Sequence, residues 1–360
     1  MAQKLNIVPM LLKKWLALWQ HRYRKIAYIL AESLAALATI ARFGWLKISF
    51  LGKKKLVLII RTEHFGDIVA AEPIARQVRH HHPHDHLVWL VRPAFKELVK
   101  NHPDLNQIWQ QRSVFYRLLV CKSGIFDEVY NLEFWQSNFD PVLEIAHKNQ
   151  AASQQDISVF NYFEKGSLLT IFQMLGQLPL KDEAPRVYIS ENDRQVVNQL
   201  QLPPRTIVVH CSSNYPVKDW SVAKWEALIN WLIVEKGYSV VEIGLKSANA
   251  VSNEAYYNCC GRLSILQTAE VIRRADYFVG IDSGPAHLAN AVGTFGFLLF
   301  GKLNNFDGYM PYSGTYQTGQ NATMINQNDK TCAELDFNFA KNKISERLLI
   351  FAQLQSVGQY

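Results

Sequence analysis

Apolar residues recur along the chain in two rhythms, and the change comes at Lys55. Before it, Leu12, Trp15, Leu16 and Trp19 follow helical spacing, as do Tyr23, Ile26, Ala27, Leu30 and Leu34. Residues 1–54 therefore read as a helical extension. Its most apolar part, IAYILAESLAALATIA, is interrupted by Glu32. That part falls short of the roughly 20 residues a bilayer span requires. After Lys55 short apolar runs alternate with amphipathic stretches. LVLII, HLVWLV and FDEVYNL read as strands, while a segment starting near Ile68, then AFKELVKN and YFEKGSLLTIFQMLG, read as helices. Such alternation predicts a parallel sheet covered on both faces.

Between Leu180 and Arg205 the chain is rich in proline and charge (LPLKDEAPR, LPPR), which marks a boundary. The pattern then restarts. TIVVH, YSVVEIG, YFVGI and GFLLFG read as strands, and VAKWEALINWLIVEKG, SILQTAEVIRRA and PAHLANAVG as helices. ISERLLIFAQLQ closes the chain as an amphipathic helix. The expected organisation is a basic helical extension (1–54), one doubly wound α/β domain (55–190), a second (191–345) and a C-terminal helix (346–360). Two such units imply a cleft, with ligands at the carboxyl ends of the strands.

Composition changes this picture in one respect. The 360 residues are 49% hydrophobic and 19% charged, with a formal net charge of +7. Eleven Lys and Arg residues against one acid put +10 in residues 1–55, leaving −3 for the remainder. The body is therefore not a nucleic-acid binder by charge, and the cationic part is the extension. An extension of this kind has two uses that the sequence leaves open. It can lie on an anionic membrane, with Trp15, Trp19 and Trp45 at the interface, or pack on the first domain as a helical layer. The cysteines, five in number with two adjacent, make no Cys-x-x-Cys pair, which fits a reducing compartment. No secretory signal pattern opens the chain.

Candidate chemistry sits where strands turn into helices. In GIDSGPAHLA, Pro285 suits a first helical turn and Gly284 allows close approach of a ligand. Amides from Gly284 to His287 are expected to point out of the helix end and to receive a diphosphate. Asp282 would then meet sugar hydroxyls or hold the loop. In RTEHFGDIVAAEP, Gly66 permits a tight turn and Asp67 faces the cleft as a candidate general base, with Glu63 and Glu72 as alternatives. Arg61 would bind an anion or pair with Asp67. In VVHCSSNYPVKDWS, Ser212 and Ser213 offer hydroxyls and amides, and Lys218 a charge for a leaving phosphate. Each element also has a plainer reading: Ser283 or Asp282 capping one helix, Asp67 capping another, Lys218 solvated on a loop.

Other signals carry less. HHHPHDH, with His80, His81, His82, His84 and His86, straddles a helix end and a strand start around Pro83, so its rings are not expected to converge on a metal. Trp220, Trp225 and Trp231 read as core. The sequon at Asn321 is discounted, because nothing else points to secretion.

Taken together, GRLSILQTAEVIRRADYFVGIDSGPAHLANAVGTFGFLLFG, RTEHFGDIVAAEP and HCSSNYPVKDWS resemble glycosyltransferase family 9, the ADP-heptose:lipopolysaccharide heptosyltransferase type. The resemblance runs from about Lys55 to the C-terminus. It departs at Cys211 and Ser221, where the family usually has proline, at KLNNFDGYMPYSG after LFG, and in the added extension. It implies a GT-B fold of two Rossmann-like domains and inverting sugar transfer from a nucleotide-diphosphate donor, ADP favoured, without a required metal or other cofactor. It makes Asp67 the base, Lys218 the phosphate-binding lysine, and Asp282, Ser283, Gly284, Pro285 and His287 the donor-binding turn. Ser212 and Ser213 would contact phosphate. The expected partners are a nucleotide sugar and a glycolipid or glycan acceptor, with membrane-surface contact through residues 1–54 and no nucleic acid. The expected location is the cytoplasmic face of a bacterial plasma membrane. A binding protein without turnover, or a different sugar-nucleotide enzyme such as an epimerase, is the alternative.

Overall fold

The computed structural model describes residues 7–134, 138–303 and 309–356, with side chains omitted for 7–14, 138, 147 and 354–356. Residues 1–6 of the extension, the Leu12 side chain and 304–308 of the departing loop thus lie outside the described residues.

The chain begins with one helix, α1 (Ile7–Ser49). There follow β1 (Leu56–Ile60), α2 (Phe65–Ala70), α3 (Glu72–His81), β2 (His86–Val91), α4 (Lys96–Val99), β3 (Gln107–Gln110), α5 (Val114–Lys122) and β4 (Glu128–Asn131). A hairpin of β5 (Asn138–Asp140) and β6 (Ile145–His147) leads to α6 (Gln150–Gln154), α7 (Leu168–Leu175) and α8 (Glu191–Asn198). The second half holds β7 (Thr206–His210), α9 (Val222–Val234), β8 (Ser239–Glu242), β9 (Tyr256–Asn258), α10 (Ile265–Arg274), β10 (Tyr277–Ile281), α11 (Gly284–Val292), β11 (Phe295–Leu299), β12 (Ala322–Ile325) and α12 (Phe337–Ser356).

Two parallel sheets result, in the orders β3-β2-β1-β4 and β12-β11-β10-β7-β8-β9. In each, the central strands LVLII and TIVVH are buried along their whole length. That is the requirement for a sheet with layers on both faces, and it explains why these runs do not alternate with polar residues. Cores form accordingly on each side of the sheets, one of them around Trp220, Trp225 and Trp231.

Two expectations are corrected. YFEKGSLLTIFQMLG is not one helix. A short 3-10 turn (Tyr162–Glu164) is separated from α7 by Gly166 at φ +108, and Ser167 caps α7 by accepting from the Thr170 amide. Periodicity could not see this break, because the apolar spacing continues across it. The extension is also longer and more regular than its 16-residue apolar part suggested. Glu32 does not interrupt it; the carboxylate turns inward, accepts from Ser113 Oγ at 2.8 Å and pairs with Arg112 at 3.2 Å. Residues Trp15–Ser49 are long and apolar enough to cross a bilayer by length and composition.

The inner face of α1 forms a layer on the first sheet. Ala36 and Phe43 join a core with Leu56, Leu58, Ile60, Trp109, Tyr116 and Phe126. Further ties run from Lys25 to Glu144 (3.4 Å), Tyr28 to Asp140 (2.7 Å), Thr39 to Tyr116 (2.6 Å) and Lys47 to Asp127 (2.7 Å). Packing on the domain, one of the two uses open to the extension, is therefore realised by this face.

Candidate active site between the two sheets

The first joint follows β1. Arg61, at the strand's carboxyl end, is 1% exposed and lies between the rings of Phe134 and Phe172, at 4.9 and 4.8 Å from their centroids. A guanidinium stripped of water must be matched by acceptors. Arg61 donates to the Leu132 carbonyl (3.1 Å), to Glu133 (3.2 Å) and to Asp67. Glu133, also buried, is held in turn by the Thr62 amide and hydroxyl and lies 3.6 Å from Arg117. Asp67 thus pairs with Arg61 rather than capping α2, whose N-cap is His64. Burial alone would raise the Asp67 pKa, but the Arg61 charge, then His64 and His287, hold it at about 2. The carboxylate is therefore ionised at any physiological pH.

The second joint follows β10. Ser283 is the N-cap residue of α11 by position, yet its hydroxyl makes no cap bond and instead meets His210 Nδ1 at 3.0 Å. His210 ends β7 and is buried, which lowers its pKa to about 4 and leaves it neutral. Asp282 accepts from Lys218 Nζ at 2.7 Å and from the Tyr312 hydroxyl at 2.9 Å. Burial would lower the Lys218 pKa; the Asp282 charge and hydrogen bond, with Asp67 further off, raise it instead. Lys218 is thus not a solvated loop lysine but the cation of this joint. Beside the pair a cleft is lined by Lys218, Asp282, Phe300, Gly301 and Tyr309, among others.

The two joints meet directly, because α2 packs on α11. Each helix offers a glycine to a ring of the other. A Cβ added to Gly66 would stand 2.6 Å from His287 Cδ2, and one added to Gly284 would stand 2.5 Å from Phe65 Cγ. The close approach that Gly284 permits is therefore made by Phe65. The expected open cradle of amides is corrected in the same way. Pro285 has no N–H, and Ala286 and His287 donate to the Ser283 carbonyl at 3.1 and 3.4 Å, inside the helix's own first turn. His287 is buried, its ring 4.5 Å from that of Tyr312, and its Nδ1 has no hydrogen-bond partner among the described residues. Burial lowers its pKa, although Asp282 and Asp67 both act in the opposite direction, so all three groups lie within electrostatic reach of one another. Tyr162 and Tyr309, edge to face at 5.5 Å, stand close enough to feel both aspartates.

The remaining candidates fall at different distances from this centre. Glu63 pairs with Arg92 at 2.6 Å, and Glu72 is a structural carboxylate held by Arg76, His102 and Tyr188. Ser212 is exposed after β7. Ser213 is engaged locally: its amide donates to Asp219 (2.6 Å) and its hydroxyl to the Tyr215 carbonyl (3.1 Å). The histidine run turns the corner between α3 and β2, where His82 bonds Asp85 and Tyr130. Among the described residues no three His, Cys, Asp or Glu side chains are grouped to hold a metal ion. Sequence reasoning did not single out Glu133, Phe65, Tyr162, His210 or Tyr312. Only His210 carried a usable signal, a titratable residue at the carboxyl end of a buried strand.

Residues 166–335 match the model of glycosyltransferase family 9 (heptosyltransferase). Lipopolysaccharide heptosyltransferase 3 of Escherichia coli is 24% identical over 235 residues, 61% of this chain and 64% of that protein, so less than two thirds of its length is matched. Among solved structures, a family 9 glycosyl transferase from Veillonella parvula superposes with a TM-score of 0.62 at 16% identity, covering 82% of this chain and 97% of that one. The E. coli ADP-heptose lps heptosyltransferase II gives 0.58 at 17% identity, covering 83% and 99%. The chain thus has the GT-B fold of these glycosyltransferases, and its residues 166–335 are similar to glycosyltransferase family 9.

Proposed function

We propose that this protein is an inverting glycosyltransferase that moves a sugar, a heptose or a close relative, from an ADP-sugar to lipopolysaccharide or another cell-surface glycan. Its acceptor lies at the cytoplasmic face of a membrane, to which residues 1–54 bring the enzyme. One observation supports the reading above others: an ionised carboxylate, Asp67, from one sheet faces the Lys218–Asp282 pair and His287 of the other across the α2–α11 contact. The ADP-heptose in the name of the E. coli relative supports the donor.

In this mechanism Asp67 accepts the proton of an acceptor hydroxyl as that oxygen attacks the anomeric carbon. The bond from that carbon to the donor's phosphate oxygen breaks, and the nucleotide diphosphate leaves with the electron pair. Lys218 leaves Asp282 for the departing phosphate, and the Nδ1 of His287, without a partner among the described residues, donates to it as N–H. A base with so low a pKa is weak in the resting state, so the acceptor must loosen its bond to Arg61. Asp67→Asn keeps the shape and removes the base. Turnover of ADP-heptose with a lipopolysaccharide acceptor should fall by roughly 10²–10⁴-fold. A folded variant with unchanged turnover removes Asp67 from the mechanism. Donor binding without turnover by the parent protein favours a silent binding protein instead.

A further inference from the structure

The outer face of α1 has no partner among the described residues. Trp15, Trp19, Ile26, Leu30, Leu37 and Trp45 are each 49–76% exposed. At about 100° per residue they share an arc of roughly 120°, and at about 1.5 Å per residue the stripe runs for some 45 Å. A soluble surface rarely leaves so long an apolar patch uncovered. Exposed cations accompany it: Arg22, Arg24 and Arg42 on the helix, then Lys53 and Lys54.

Two arrangements in lipid are conceivable for such a helix, and the contacts on its other face separate them. Any stretch of about 20 residues within Trp15–Ser49 contains Glu32. That carboxylate is buried against Arg112 and Ser113 of the first domain. Tyr28 and Lys47 are tied to the same domain on either side. A span would draw these groups into hydrocarbon or tear the helix from its domain. A helix lying flat keeps every one of them.

We propose that α1 lies in the plane of an anionic bilayer, its tryptophan and leucine stripe sunk at the headgroup boundary, with the first domain seated on its inner face. The cations at its margins match anionic headgroups, and the indoles suit the interface. The inference gives the membrane contact of the proposed function its face, its orientation and its lipid chemistry, and it rests on that reading only for its purpose.

The test uses the full chain and phosphatidylcholine vesicles with or without phosphatidylglycerol. Sedimentation should carry the protein down with the anionic vesicles. Trp19→Ser, Leu30→Ser and Leu37→Ser together should weaken partitioning roughly tenfold or more. Arg22→Gln, Arg24→Gln and Arg42→Gln should each reduce the preference for phosphatidylglycerol, by roughly fivefold per residue. Brominated lipid should quench tryptophan fluorescence, and less so after Trp15→Phe, Trp19→Phe and Trp45→Phe. These side chains are exposed, so thermal melts should confirm intact folds. Serine variants that bind like the parent overturn the proposal. So does protein that resists alkaline carbonate extraction, which would mean a span. So does a vesicle-free dimer broken by the same serines, which would mean that a second copy covers the stripe. No donor or acceptor enters these assays, so their failure leaves sugar transfer standing, and a failed transfer assay leaves this proposal standing.

Discussion

The two strand-to-helix joints are built alike and differ in their cations. Each places an aspartate beside the start of a helix and pairs it with a basic side chain. At the first joint the cation is Arg61, walled in by Phe134 and Phe172 and anchored by Glu133 and the Leu132 carbonyl. It cannot leave without stranding a buried acid. At the second the cation is Lys218, at the end of a short 3-10 turn, 24% exposed, on a stem that can swing. One motif thus gives a fixed cation in one place and an exchangeable cation in the other. Under the proposed mechanism the first orients Asp67 and the second is free to follow a leaving phosphate.

That contrast can be broken experimentally. The largest effect belongs to Arg61→Met, which leaves Glu133 short of a partner and should cost about 3–5 kcal/mol in chemical denaturation. It should also let the Asp67 pKa climb from about 2 toward 3.8, moving the acid limb of activity upward. Next comes His210 beneath the second joint. Its pKa is depressed from 6.5 to about 4 in the folded state, so the unfolded chain takes the proton first as pH falls. Stability should therefore decline by about 3 kcal/mol between those limits, and His210→Asn should flatten the slope of melts against pH. The Arg61–Asp67 pair holds over that range, since its contribution is lost only as pH falls from 3.8 to about 2. Gly284→Ala should cost about 1–3 kcal/mol by forcing Phe65 aside, again read by denaturation. Smallest in stability, about 1–2 kcal/mol because Asp282 keeps the Tyr312 hydroxyl, should be Lys218→Met. Its loss should fall instead on kcat/KM for the donor, by roughly a hundredfold. A Lys218 variant as unstable as the Arg61 variant would erase the distinction.

The joints were legible in the sequence because their signals are local. Strand, glycine, aspartate and helix lie within a few residues at Ile60–Asp67 and again at Ile281–His287. What surrounds them was not legible. Glu133 is 72 residues from Arg61, and Phe65 meets Gly284 across the whole of the first sheet and more. No spacing rule connects such positions. The same limit explains α1. Read by itself, Glu32 looks like an interruption of an apolar run; only Arg112 and Ser113, some 80 residues on, show it to be the inward face of an unbroken helix. The amide cradle failed for a different reason. A helix N-terminus is an anion site only while its amides point outward, and here two of them close on Ser283.

The paired glycines of α2 and α11 act as a spacer gauge. With hydrogen as the only side chain at 66 and 284, two backbones sit nearer than any alanine would allow, and each is keyed by the opposing ring. The separation of α2 from α11 is thus fixed by two absent methyl groups, and any change that spreads the two helices would have to pass through those positions first.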